Sequence, residues 1–230
     1  EQRLAKIRGA RPASRVIPRR SDLGPAPLSA GQERLWFLQQ WVPDSAFYNL
    51  PFALRIRGPL DAAALDGALD ALRQRHTILR TVFREVDGRP AQIEQDLTGP
   101  VLQIVDLREL AAGRREAVAT SLAVRTSKGG FDLENGPIFR SLLLRLDAEL
   151  HLLVLSVHHI AADGASVSVI LHELQVGYRS RVSGQPAELP ELSIQYADFA
   201  AWDRQRVSAG DLTERLDHWR QVLAAPRSVL

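Results

Sequence analysis

The stretch Leu150-His151-Leu152-Leu153-Val154-Leu155-Ser156-Val157-His158-His159-Ile160-Ala161-Ala162-Asp163-Gly164 decides how this chain is read. Its first half is an apolar run of strand length. Its second half leaves that run through two histidines into a short loop carrying Asp163 and Gly164. Beyond it, Val167, Ile170, Leu171, Leu174 and Tyr178 trace one helical face. A buried strand is therefore expected to turn tightly into a helix. Neighbouring strand side chains point to opposite faces. His159 would share a face with His151, Leu153, Leu155 and Val157, and His158 with Leu152, Val154 and Ser156. One histidine is thus expected to meet solvent or substrate and the other to be a hydrogen-bonded packing residue. The pattern alone leaves open which is which. Imidazole is the side chain suited to proton movement near neutral pH, so the junction points to acid/base or positioning chemistry. Two histidines and an aspartate are also acceptable metal ligands. Adjacent strand residues diverge, which makes a shared ion geometrically awkward.

Working outward, Ile138 to Leu146 reads as a strand adjacent to Leu150 to His158, with Asp147-Ala148-Glu149 between them. Asn49 to Arg57 reads as another strand, closed by Gly58-Pro59. Ser29 and Gln32 have capping-box spacing before a helix with Leu35 and Leu38 on its apolar side. Asp61 caps a helix whose Leu65, Ala68, Leu69 and Leu72 fall at i, i+3, i+4, i+7. Ile78 to Val86 is β-like, and Asp87-Gly88 signals a hairpin leading to a strand near Ala91 to Glu94. Val101 to Val105 reads as a further strand. Helices are expected at Leu107 to Arg125, Ile194 to Arg206 and Leu212 to Leu223. This mix predicts an α/β layered sandwich with a mixed sheet.

Composition bounds the chemistry. The 230 residues are 45% apolar and 24% charged, as in an ordinary globular chain. No apolar run reaches the roughly 18 residues of a membrane span. Residues 1–20 lack the apolar core of a signal peptide. Without cysteine there is no disulfide, thiolate nucleophile or cysteine-based zinc site. These features make a cytoplasmic setting the default. Methionine is absent even at position 1, which suggests a piece of a longer polypeptide. The net charge of +2 divides into +6 over residues 1–20 and −4 over the rest. The basic arm reads as a solvated linker, and the body has no basic stripe interleaved with aromatics, so nucleic acid is not an expected partner. Residues 1–22 are accordingly read as a basic interdomain linker, with the folded unit over 23–230. GxGxxG and Walker patterns are missing, which removes sequence support for nucleotide binding.

His158-His159-Ile160-Ala161-Ala162-Asp163-Gly164 resembles the HHxxxDG signature of nonribosomal peptide synthetase condensation domains, relatives of chloramphenicol acetyltransferase. Three more blocks resemble that family in the right order. They are Leu28-Ser29-Ala30-Gly31-Gln32-Glu33-Arg34-Leu35-Trp36-Phe37-Leu38, Arg75-His76-Thr77-Ile78-Leu79-Arg80-Thr81-Val82-Phe83, and Tyr196-Ala197-Asp198-Phe199-Ala200-Ala201-Trp202. The resemblance covers the first half of such a domain. It implies a chloramphenicol-acetyltransferase-like two-layer α/β sandwich, the N-terminal lobe of a two-lobed domain, preceded over residues 1–22 by a linker or the tail of an upstream carrier domain, with the C-terminal lobe absent from this chain. It further implies amide-bond formation between a donor acyl or peptidyl thioester and an acceptor aminoacyl thioester. Both would ride on 4′-phosphopantetheine arms of upstream and downstream carrier proteins, with an adenylation domain in the same assembly line. No cofactor or metal would be bound by the lobe itself, and no membrane is implied. His159 would be the catalytic residue, as base or as holder of the amine. His158, Asp163, Gly164 and Arg80 would support it, with Asp163 ion-paired to Arg80. Arg75 and Trp202 would support the lobe.

The chain departs from the family pattern in places. Thr77 stands where Glu is usual, Gly31 where Ala is usual, and Ala165 where a tryptophan is common. The small Ala165 would widen the tunnel that the resemblance implies, where the two thioesters meet, so substrate preference does not carry over. Epimerisation and ester formation within the same superfamily are alternative reactions, and a non-catalytic carrier-docking platform is an alternative class.

Overall fold

A computed structural model describes residues 16–22, 24–97, 99–208 and 213–224. Its centre is the strand predicted from the opening stretch. A four-stranded sheet runs in the order β2 (Asn49–Arg57), β7 (Leu150–His158), β6 (Phe139–Asp147), β5 (Leu102–Asp106). β7 is antiparallel to both neighbours, and β5 is parallel to β6, so the sheet is mixed. A three-stranded sheet holds β1 (Ala26–Pro27), β4 (Arg89–Glu94) and β3 (Thr81–Val86) in the order β1-β4-β3. β3 and β4 form the expected hairpin. Asp87 and Gly88 both have positive φ, 51° and 75°, the geometry a two-residue turn of this type demands.

Helices cover both faces of the larger sheet. On one face lie α2 (Ala62–Arg75) and α4 (Gly164–Ser183). Leu65, Leu69, Leu72, Ile170 and Leu174 pack there against Leu143, Leu153, Leu155 and Val157. The two helices approach closely: a Cβ at Gly177 would sit 3.4 Å from that of Ala68. On the other face α3 (Ala112–Lys128) places Ala119 against Leu142, Leu144 and Val154. β7 is buried on both faces, which is why it reads as a near-continuous apolar run. β2, at the edge, alternates instead. Phe52, Leu54 and Ile56 face the core, while Arg55 pairs with Glu116 of α3 at 3.1 Å.

Local chemistry sets the element ends. α1 (Ala30–Trp41) opens with the predicted capping box. Ser29 accepts from Gln32 N at 3.2 Å, and Gln32 Oε1 accepts from Ser29 N at 3.1 Å. Asp61 accepts from Ala63 N and Ala64 N, capping α2. Two expectations are corrected. Thr77–Arg80 is a turn of 3-10 helix, not the start of a strand. Ile78 and Leu79 are both buried, which consecutive residues of a one-sided strand cannot achieve, and Thr81 Oγ1 donates to Thr77 O at 2.8 Å to hold the turn. α3 begins at Ala112, five residues after Leu107. Leu107 N still donates to Arg145 O at 2.9 Å beside β6, and Asp106 is held by Arg108, so the chain is not free to coil earlier.

α5 (Tyr196–Ser208) crosses the smaller sheet near β1, and α6 (Thr213–Leu223) follows. Arg204 of α5 donates to Leu28 O at 3.1 Å and pairs with Glu33 of α1 at 2.9 Å. Residues 16–22, inside the stretch read as a linker, lie against this corner. Arg19 donates to Ser193 O at 2.6 Å and Leu192 O at 2.9 Å, and Arg20 N donates to Asp198 Oδ1 at 2.8 Å. Residues 1–15 fall outside the described residues. Among the described residues no helix is long and apolar enough to cross a membrane.

Gly31 sits exposed in the first turn of α1, and a Cβ there would meet only Ser29 Oγ, at 3.9 Å. Gly31→Ala is expected to stabilise the fold by about 0.5–1 kcal/mol, measured by urea unfolding, because it removes backbone freedom from the unfolded chain at no steric cost.

Candidate functional site

The two histidines divide as strand alternation requires. His158, the last residue of β7, is fully buried, and His159, the next residue, is exposed. His159 N donates to Tyr48 O at 2.8 Å, which extends the β2–β7 ladder one step and fixes the backbone beneath the exposed ring. Among the described residues the His159 imidazole has no hydrogen-bond partner, so both ring nitrogens face outward chemistry.

His158 is built in from three sides. Its Nδ1 accepts from Ile160 N at 3.1 Å, which places the proton of the neutral ring on Nε2. Tyr48 and Phe131 lie edge-on, with ring centroids at 6.4 and 6.0 Å. Burial, with a smaller contribution from His159, lowers its pKa from 6.5 to about 4, so it is neutral at physiological pH. The same bond to Ile160 N shapes the turn out of β7. His158 therefore holds the loop that presents His159, and does not itself reach a substrate.

A polar cluster anchors the ground behind this pair. Arg140 of β6 donates to Gly129 O at 3.0 Å and Gly130 O at 2.5 Å, and its guanidinium lies 4.1 Å from the Phe131 ring centre. Asn49 donates to Ser127 O at 2.8 Å and Gly129 O at 2.9 Å. Burial lowers the Arg140 pKa. These bonds satisfy carbonyls at the end of α3 and press Phe131 against His158. Sequence reasoning missed Arg140, Asn49 and Phe131. The signal was an arginine two residues before the apolar run Leu142-Leu143-Leu144, next to the strand's first residue Phe139.

The expected pairing of Asp163 with Arg80 is not formed. Asp163 is exposed and is the N-cap of α4. Its Oδ1 accepts from Ser166 N at 2.9 Å and Ser166 Oγ at 2.7 Å, and Asp163 N donates to Ser166 Oγ at 3.1 Å. Those bonds, the Ser166 hydroxyl first, lower its carboxyl pKa, and His159 is near enough to add a small push in the same direction. Arg80 lies elsewhere: it pairs with Glu94 of β4 and donates to Gln95 O at 3.2 Å. The pairing was an expectation carried over from the family resemblance. A helix start with free N–H groups satisfies an exposed aspartate without any cation. Gly164 is the first residue of α4, and a Cβ there would meet nothing within 4 Å.

Arg75 does join the two helices behind the site. Its Nε donates to Glu173 of α4 at 3.2 Å, and it also donates to Pro190 O. His76 Nε2 lies 2.7 Å from Glu173 Oε2, so one carboxylate, 8% exposed, is shared by two side chains from the end of α2. Trp202 stacks within α5 near Phe199, centroids 6.0 Å apart, with Arg206 at 4.6 Å. It faces the strap formed by residues 16–22 and stands apart from the histidines. Asp198, not singled out from sequence, does more at this corner: its carboxylate accepts from Arg20 N and from Gln195 N, each at 2.8 Å.

Because Asp163 is a solvent-facing cap, Asp163→Ala is expected to cost about 1 kcal/mol of stability and leave soluble protein. Denaturation measured on wild type and variant checks this. A loss of about 3–5 kcal/mol would instead indicate a broken buried ion pair.

Residues 23–230 match the condensation-domain family. Phosphinothricin tripeptide synthetase PhsC of Streptomyces viridochromogenes is 43% identical over 226 residues, 97% of this chain and 20% of that protein. A linear gramicidin synthase of Brevibacillus parabrevis is 41% identical over 206 residues, 90% of this chain and 4% of that protein. The chain thus spans a small part of its curated relatives. Among solved structures, the starter condensation domain of rhizomide synthetase RzmA superposes with a TM-score of 0.79 at 22% identity, covering 89% of this chain and 49% of that one. The X-domain in its complex with OxyB from teicoplanin biosynthesis gives 0.78 at 33%, covering 96% and 48%. The fold is that of chloramphenicol acetyltransferase-like sandwiches, present as one lobe of two. With these motifs, this register and these relatives, the chain belongs to the condensation-domain family of nonribosomal peptide synthetases.

Proposed function

We propose that this lobe carries the histidine face of a site that joins a donor acyl or peptidyl thioester to an acceptor aminoacyl thioester through an amide bond. The observation that carries the reading is the split of the histidine pair: an exposed imidazole without a partner among the described residues, fixed from behind by a buried neutral one. The acceptor nitrogen would attack the donor thioester carbon. A C–N bond forms, the C–S bond breaks, and the carrier thiol departs. The proton lost by the amine would pass to His159 and then to the leaving thiolate. His159 in this role acts as base or holds the amine in line. His158 is unsuited to it, since one ring nitrogen is committed and the other is sealed among aromatic rings.

In this reading the substrates arrive on 4′-phosphopantetheine arms of upstream and downstream carrier proteins, and the lobe itself holds no cofactor. An adenylation domain loads the acceptor carrier. A C-terminal lobe supplies the facing wall. The chain covers about half of the solved domains, so the 230 residues alone would lack much of the positioning that drives the step. Exposed Phe37, Trp41, Val42 and Phe47 form an apolar surface suited to contact with a further domain.

A second reading rests on the X-domain match, because that relative was solved holding a partner protein. A lobe of this shape could serve as a docking platform. Replacing His159 separates the two. In the complete two-lobed domain His159→Ala is expected to lower single-turnover amide formation by about 10² to 10⁴ with carrier binding unchanged. Unchanged product formation would favour the platform and contradict the catalytic reading.

A further inference from the structure

The residue after His159 is held by both of its backbone groups. Ile160 N donates to His158 Nδ1 at 3.1 Å, and Ile160 O accepts from Gln32 Nε2 at 3.2 Å. The first bond belongs to the histidine pair. The second comes from the first turn of α1, 128 positions away in sequence.

Gln32 is 2% exposed, and both polar atoms of its side chain are bonded. Its Oε1 accepts from Ser29 N at 3.1 Å, and its Nε2 donates to Gln92 Oε1 at 3.2 Å as well as to Ile160 O. Gln92 of β4, 4% exposed, donates in turn from Nε2 to Pro27 O at 2.7 Å. The direction of this relay is determined at both ends. Pro27 O can only accept, so the Gln92 nitrogen faces it and the Gln92 oxygen faces Gln32. Ser29 N can only donate, so the Gln32 oxygen faces it and the Gln32 nitrogen faces Ile160. A reversed Gln32 amide would set oxygen against oxygen at Ile160 and Gln92, and N–H against N–H at Ser29.

The helix cap alone does not call for this amide. A cap needs only the side-chain oxygen, which Glu supplies as well as Gln. The nitrogen is the part the cap leaves unused, and it is aimed at the histidine loop. A buried carbonyl deprived of its donor is costly, so Ile160 O stays where Gln32 holds it. The His159 ring has no hydrogen bond of its own among the described residues. Its placement therefore depends on the backbone bonds around it: His159 N to Tyr48 O at 2.8 Å and the two bonds of Ile160.

We propose that Gln32 is a positioning residue for His159, acting through the Ile160 carbonyl, and that Gln92 orients it. The consequence for rate rests on the amide-forming reading above, whereas the clamp rests on the relay itself.

Gln32→Glu isolates the clamp, because it keeps the size and the acceptor for Ser29 N and removes the donor to Ile160 O. In the full chain, hydrogen exchange at the Ile160 amide is expected to quicken about tenfold. Gln92→Leu, which introduces no charge, should give a smaller increase. In the complete two-lobed domain, Gln32→Glu is expected to slow single-turnover amide formation by about tenfold to a hundredfold at saturating acceptor. The acceptor concentration giving half-maximal rate should not change, since the ring is displaced and the substrate contacts are not. Ser29→Ala removes the cap hydroxyl and leaves the relay, so it should weaken α1 without either effect. Unchanged exchange in both glutamine variants would overturn the clamp. The positioning role would be overturned by equal slowing in Ser29→Ala, or by an unchanged rate in Gln32→Glu where His159→Ala is slow. A rate indifferent to His159→Ala would contradict the amide-forming reading, and exchange at Ile160 would still decide the clamp.

Discussion

One constraint organises the site: two adjacent histidines at the end of a central strand cannot share an environment. Alternation sends His158 into the space between Tyr48 and Phe131 and leaves His159 outside. Burial makes the inner ring neutral, and neutrality lets its Nδ1 accept the Ile160 N–H that closes the turn. That arrangement has a thermodynamic consequence. The folded pKa of His158, about 4, lies below its ordinary value of 6.5. As pH falls through 6.5 the unfolded chain takes up a proton that the folded chain refuses until about 4. The stabilisation is therefore complete above 6.5 and is lost progressively between 6.5 and 4.

The loop beyond the pair is held at its other end by a different device. Asp163 caps α4, α4 packs on α2 through the close approach of Gly177 and Ala68, and Glu173 locks the end of α2 through Arg75 and His76. The loop from His158 to Asp163 thus spans two fixed supports, a strand end and a helix cap. Arg140 and Asn49 add a third behind the strand by holding the carbonyls after α3. Each of these supports lies within the described residues of this chain.

Much of this was legible in the sequence because it was written in local patterns. β2 and β7 have the predicted bounds, since apolar runs closed by Gly58-Pro59 and by the histidines leave little freedom. The Ser29 and Asp61 caps needed only spacing. What failed was tertiary. The Asp163–Arg80 pair was expected from the family resemblance, yet Asp163 is exposed and finds its partners in its own helix start. The 3-10 turn at Thr77–Arg80 reads like a strand because Ile78 and Leu79 run directly into the apolar start of β3 at Val82 and Phe83. The docking of Arg19 and Arg20 onto residues 192–198 joins segments more than 170 positions apart, a distance at which composition says only that the arm is basic.

The proposed function turns on the inner histidine being a neutral structural support, which leaves the outer one as the proposed base. The most direct measurement is an NMR pH titration of the imidazole nitrogens in the folded chain. The account predicts that His158 stays neutral, with its proton on Nε2, until about pH 4. A His158 ring that protonates near 6.5, or that carries its proton on Nδ1 when neutral, would contradict it.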